Sequence, residues 1–162
     1  MNFAKELRFI WQSSITIITD KNESGLKMGH LIQWDNTEKT VVLQQYTGNP
    51  VKDDLYHLAE ESAAMLKTVL HKVHLIIDER TIKLTLSSTD IKYLEKHVPT
   101  NQGVVIVVVG KSGAAYKSLI QKIGKTLAPN AFKQTFFTAT IEEARQLLQE
   151  QFQVNYTQIE LS

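Results

Sequence analysis

The sequence predicts an α/β domain: one mixed, mostly parallel five-stranded sheet with four helices, in the order ββαβαβαβα. Apolar runs of strand length alternate with longer stretches whose apolar residues recur every three or four positions. The two first strand-like runs are separated only by a polar link of hairpin length, which makes them an antiparallel pair. "GVVIVVVG", Gly103 to Gly110, is the most apolar segment of the chain and reads as a central strand covered on both faces, as parallel strands usually are.

Each element follows from its residues. "HLIQW" and "KTVVLQQY" flank "DNTE", which carries the Asp and Asn that turns prefer. In "TGNP", Asn49 is placed to cap a helix and Pro50 to occupy its first position, while Asp53 and Asp54 suit the positive end of the dipole. Leu55, Leu58, Ala59, Ser62, Met65, Leu66, Val69 and Leu70 then form one apolar stripe, predicting a helix over 50–70 that lies on a sheet. "KVHLIID", Lys72 to Asp78, is a strand, and "STDIKYLEKHV" a helix whose Ile91, Leu94 and Val98 share a face; strand, helix, strand implies a parallel crossover. Tyr116, Leu119, Ile120, Ile123 and Leu127 mark the buried face of a third helix, ended by "APN". "FKQTFF" is the last strand. In the final helix Thr140 and Glu143 have capping-box spacing and Ile141, Ala144, Leu148 and Phe152 face inward. The closing ten residues read as a tail or an added edge strand.

Composition narrows the function. The 162 residues, 43% hydrophobic, suit one domain with one core. A net charge of +1 lacks the cationic footprint of a nucleic-acid or anionic-membrane binder. With no cysteine, thiolate catalysis, disulfides and cysteine metal sites are excluded, and a reducing cytoplasm is permitted. No run approaches the roughly 20 apolar residues of a spanning helix, and residues 1–27 make a poor signal peptide, since Gln12, Ser13 and Ser14 split the apolar run. A cytoplasmic protein is expected.

The Gly-Lys-Ser at 110–112 raises the question of a phosphate-binding loop. That loop requires a glycine five residues before Gly110, and Val105 stands there; the intervening "IVVV" favours an extended strand over a cradle. Nucleotide binding through this segment is the weakest reading, although Lys111 and Ser112 open a helix and form a weak anion-site candidate. The histidines, His30, His57, His71, His74 and His97, show no metal-ligand spacing. Asp78, Glu79 and Arg80 follow a central strand, where open α/β sheets keep their sites, and a local ion pair explains them equally well. No paired nucleophile and base emerges, no metal or other cofactor is expected, and the protein reads as non-enzymatic.

The order of elements, the strand ending in Trp34, the Val-rich fourth strand and the closing strand that runs into "EEAR", Glu142 to Arg145, resemble the STAS-like domains related to bacterial anti-sigma-factor antagonists. The resemblance spans residues 28–152, leaving 1–27 as an N-terminal extension and 153–162 as a C-terminal tail. It implies a bacterial regulatory module that binds a protein partner, of the anti-sigma type, and leaves a homodimer open. In that family a phosphorylatable serine begins the helix after the third strand. The matching position is Ser87 in "LSST", where Leu86 and Thr89 replace the acidic residue and glycine of the family motif. Ser87, Ser88 and Thr89 are thus the candidate phosphorylation or partner site, and a plain helix cap at Ser88 or Thr89 with Asp90 in the first turn is the competing reading. The family is distantly similar to CRAL-TRIO lipid-binding domains, which hold apolar molecules between helices and sheet. That makes a small hydrophobic-ligand carrier the alternative, against simple close packing of Ala59, Ser62 and Ala63.

Overall fold

Strands β1 (His30–Trp34) and β2 (Val41–Tyr46) form an antiparallel hairpin in which Trp34 faces Val42. The computed structural model describes residues 29–81, 87–110 and 114–156. The expected 1–27 extension, the Lys111 and Ser112 anion-site candidate and the end of the C-terminal tail lie outside them, as do the side chains of Tyr116, Leu119 and Ile120. The hairpin closes on Asn36, whose Oδ1 accepts from the Thr40 and Val41 amides at 3.0 and 3.2 Å, while Lys39 takes the left-handed conformation at φ 54°.

After β2 every strand is parallel to its predecessor: β3 (Val73–Asp78), β4 (Gln102–Val108) and β5 (Thr135–Thr138). The sheet order is β1-β2-β3-β4-β5, and the helices α1 (Lys52–Leu66), α2 (Ser88–Lys96), α3 (Ala114–Leu127) and α4 (Ile141–Phe152) complete the ββαβαβαβα sequence. This is the predicted α/β fold.

Period-two alternation divides the sheet into two apolar faces. Val41, Leu43, Ile76, Val104, Ile106 and Val108 pack against Ile141, Ala144 and Leu148 of α4. Val42, Val73, Leu75, Val105 and Val107 turn the other way, toward Leu66 of α1. Burial of the β4 residues from Val104 to Val108 on both faces is what the unbroken valines predicted. Gly110 ends the segment at φ 69°, a left-handed conformation that glycine adopts without strain.

Several boundaries differ from the sequence reading. Asn49 does not cap α1: the N-cap is Val51, two residues later, and its amide donates to Asp54 Oδ2 at 2.6 Å. The helix stops at Leu66 instead of Leu70, whose side chain is fully exposed. The stop has two causes. Thr68 Oγ1 donates to the Met65 carbonyl, and Asn101 Nδ2 donates to the carbonyls of Leu66, Val69 and His71 at 2.8–3.2 Å, satisfying backbone groups that a continuing helix would have taken. At α4, Thr140 accepts from the Glu143 amide as expected, but the Glu143 carboxylate turns to the Ala139 amide instead of closing the box on Thr140.

The C-terminal residues that follow α4 form no strand among those described. Gln153 takes a left-handed conformation, Val154 enters the core, and the Tyr156 hydroxyl donates to Asp35 Oδ2 at 2.8 Å. Asp35, whose side chain is 1% exposed, also receives the Arg145 guanidinium at 2.6 and 3.0 Å. Hairpin, α4 and C-terminal segment are thereby clasped on one buried carboxylate.

Candidate functional site

A cavity lies between the sheet and the layer formed by α1 and α2, on the face opposite α4. Its floor consists of alternate residues from three adjacent strands: Gln44 and Tyr46 of β2, Leu75 and Ile77 of β3 with Glu79 just beyond, and Val105 and Val107 of β4. Period two puts all of them on one face. Its roof is the stripe of α1 that includes Leu55, Leu58, Ala59, Ser62, Ala63 and Leu66. Here the small residues do not bring helix and sheet into close contact; they leave a chamber of about 90 Å³, several times the space one water needs. Leu94, His97 and Val98 close one flank, and Ala131 and Phe132 complete the wall.

The chamber is mainly apolar, with polar groups at fixed places. In its middle, Gln44 Nε2 donates to Ser62 Oγ. An amide cannot take a proton from that hydroxyl, so Ser62 has no base in this contact and serves packing and orientation. At the end formed by the carboxyl termini of the strands, Tyr46 is 6% exposed beside Glu79. Burial, and next the Glu79 and Asp54 carboxylates, push the Tyr46 hydroxyl well above its ordinary pKa, so it stays protonated. At the opposite end, His97 Nδ1 donates to the Tyr93 carbonyl at 2.9 Å. A carbonyl only accepts, so Nδ1 carries a proton and donates it in this contact.

A second polar cluster surrounds the start of α2. Ser87 is the N-cap, which corrects the expectation that Ser88 or Thr89 would take that role. The Ser87 hydroxyl donates to Asp90 Oδ2 at 2.7 Å and its amide donates to the same oxygen at 2.6 Å, closing a capping box with the Asp90 amide. Asp90 is 1% exposed and also receives the Tyr56 hydroxyl and, at 3.1 Å, Lys52 Nζ. The Tyr56 hydrogen bond first, and the Ser87 and Lys52 contacts with it, hold the Asp90 carboxyl far below the usual carboxylate range despite burial. Tyr56 packs against Tyr93 with ring centres 4.3 Å apart and planes tilted by 58°, and Tyr93, pushed up to about 12 by its bond to Glu60, lies 4.2 Å from the His97 ring centre. Ser87, Ser88 and Thr89 are all exposed, so the structure brings the three candidate residues together on one accessible turn.

No family model, curated protein or solved structure matches the chain. The chemistry must therefore be read from the geometry. Among the described residues, no three histidine, aspartate or glutamate side chains converge on a metal position, and no helix is long and apolar enough to cross a membrane. The "IVVV" segment places Ile106 to Val108 inside β4, so its backbone amides serve the sheet and form no phosphate cradle. Asp78 and Arg80 form the local ion pair that the sequence allowed, with Arg80 Nε and Nη2 on the two carboxylate oxygens at 2.8 and 2.7 Å.

Sequence reasoning did not single out Gln44, Tyr46 or His97. A signal was present for Gln44: a polar residue at an inward position of a buried strand needs a partner, and it has Ser62. Tyr46 and His97 carried no local signal, because strand and helix bring them to the chamber from positions 51 residues apart.

Proposed function

We propose that this protein is a non-enzymatic binding module whose chamber beneath α1 and α2 takes a small, largely apolar molecule. The observation that carries this reading is the chamber itself, walled by Leu55, Leu58, Leu75, Val105 and Val107. An apolar space of this kind holds water poorly and forfeits dispersion contacts while empty. At ~24 cal/mol per Å3, about 90 Å³ of void corresponds to about 2 kcal/mol that a fitting occupant restores.

Native mass spectrometry of gently purified protein tests it: the wild type retains an adduct of small-molecule mass. Ala63→Leu, which fills the roof from a buried position, loses the adduct while its melting temperature is unchanged or raised. A bare polypeptide mass for the wild type, together with no change on Ala63→Leu, sinks the reading.

The exposed turn of Ser87, Ser88 and Thr89 supports a second reading, in which a protein partner docks at the start of α2, as in the STAS-like regulatory modules that the chain resembles. A phosphate on Ser87 would face Asp90 at hydrogen-bond range and break the capping box, so modification here would loosen the first turn of α2. Ser87→Asp mimics that repulsion. Unchanged partner capture by Ser87→Asp and wild type in the same pull-down removes this second reading.

A further inference from the structure

The polar groups around the chamber specify what its occupant must offer, an inference that rests on the binding reading above. Among the described lining residues there is no lysine and no arginine, and Glu79, the single carboxylate, is itself engaged. The other polar side chains are occupied as well: Gln44 donates to Ser62, His97 to the Tyr93 carbonyl and Gln102, at 3.5 Å, to the Ala131 carbonyl. Tyr46 stands apart. It is 6% exposed, and its hydroxyl has no hydrogen-bond partner among the described residues. Buried polar groups are normally paired, and a protonated hydroxyl left over in an apolar wall is a donor that an acceptor must satisfy.

We infer that the chamber binds an uncharged, largely apolar carbonyl compound, a ketone, aldehyde or ester, whose oxygen accepts a hydrogen bond from the Tyr46 hydroxyl. The position of Tyr46 sets the orientation. It is the last residue of β2, so the carbonyl group sits at the carboxyl-terminal end of the floor and the hydrocarbon extends between α1 and the sheet toward Phe132 and Gln102. From Gln102 to Val107 the floor strand runs about 16 Å, ample for a short chain laid along it. An ion of either sign fares worse. A carboxylate would enter with no lining lysine or arginine to neutralise it, and an ammonium group with no unengaged lining carboxylate to receive it, so each would lose its hydration without gaining an ionic partner. A neutral carbonyl exchanges a hydrogen bond to water for one from Tyr46 and buries its chain.

The test uses NMR titrations of the full chain at pH 7.5 with hexan-2-one, hexanoate, hexylamine and toluene, the last an apolar probe of similar size that has no accepting oxygen. Hexan-2-one is expected to bind roughly tenfold tighter than either ion. Tyr46→Phe removes the donor alone, and is expected to weaken hexan-2-one about fivefold while toluene changes by less than about twofold. The melting temperature of that variant should hold or rise, since the hydroxyl it loses has no partner. An unchanged affinity for hexan-2-one in Tyr46→Phe, an equal loss for toluene, or either ion binding as tightly as hexan-2-one overturns the carbonyl assignment and leaves the chamber as a binding site. Infrared difference spectra of the wild type with hexan-2-one give a readout that stands whether or not Tyr46→Phe folds: the carbonyl band of the bound ketone should lie below its position in hexane, and a band at the hexane position also overturns the assignment. Failure of all four probes to bind, with no adduct in native mass spectra, overturns the binding reading as well.

Discussion

Gly103 sits where strands β3 and β4 pass closest to a buried histidine, and replacing it with alanine is the sharpest probe of that packing. A Cβ at Gly103 would lie 2.5 Å from His74 Nδ1, 2.8 Å from its Cε1 and 3.1 Å from Lys72 Cγ. The imidazole has little room to retreat. It is 7% exposed, packed against Phe152 at 5.4 Å between ring centres, and fixed by the Val104 amide, which donates to Nδ1 at 3.1 Å. Overpacking at such a site costs ~1–3 kcal/mol. Displacing the ring also strips the Val104 amide of its acceptor, about 1 kcal/mol. Alanine gains ~0.5–1 kcal/mol over glycine in a strand, which offsets part of this. The net expectation is a loss of about 2 kcal/mol, or a fall of ~4–8 °C in melting temperature for a chain of this size. The assay is urea denaturation at pH 7.5 of Gly103→Ala, His74→Ala and the double variant. In the His74→Ala background the methyl group has space, so the Gly103→Ala loss should shrink below about 0.5 kcal/mol. An equal loss in both backgrounds would refute the steric account.

Two other outcomes follow from buried ionisable groups. Because His74 accepts a hydrogen bond on Nδ1, and burial, with Lys72 second, lowers its pKa from 6.5, the unfolded chain binds a proton in acid that the folded chain refuses. Stability is therefore full above pH 6.5 and declines as pH falls below it, and a pH series of melting temperatures should flatten over that window in His74→Ala; an unchanged slope contradicts the assignment. Arg145→Ala leaves the Asp35 carboxylate, 1% exposed, with Tyr156 as its remaining side-chain donor from the clasp, and should cost about 3 kcal/mol. Tyr156→Phe removes one hydrogen bond and should cost about 1 kcal/mol, and denaturation curves showing the reverse order would mean that the guanidinium does not neutralise Asp35.

The fold was legible because its signals are local. Unbroken valines in β4 mark a strand buried on both faces, and the spacing of Leu55, Leu58, Ser62 and Leu66 marks one helical face. The errors arose where distant residues decide. Leu70 continues the stripe of α1 in sequence, yet Asn101, some thirty residues on, takes the carbonyls and ends the helix first. At α2, three adjacent residues can all act as caps, and the choice falls on Ser87 because it alone stands three before Asp90, a spacing that was readable. The chamber was the least legible feature. Ala59, Ser62 and Ala63 suit close packing and an open space equally, and the decision belongs to neighbours on four other elements.

The strict order of the sheet accounts for that space. Right-handed crossovers between successive parallel neighbours send every connecting helix to the same side, so α1 and α2, with α3 packed beside α2, share one face while α4, which connects no strands, covers the other. Strands lie ~4.8 Å apart, so three helix axes each seated over its own crossover would span only about 10 Å. Packed helices need ~8–10 Å between neighbours, twice what the strands provide. A layer wider than its support must spread or lift, and the chamber opens where it does. The hollow is then a product of one-sided winding, and a bound molecule would serve as the piece of core that the winding leaves out.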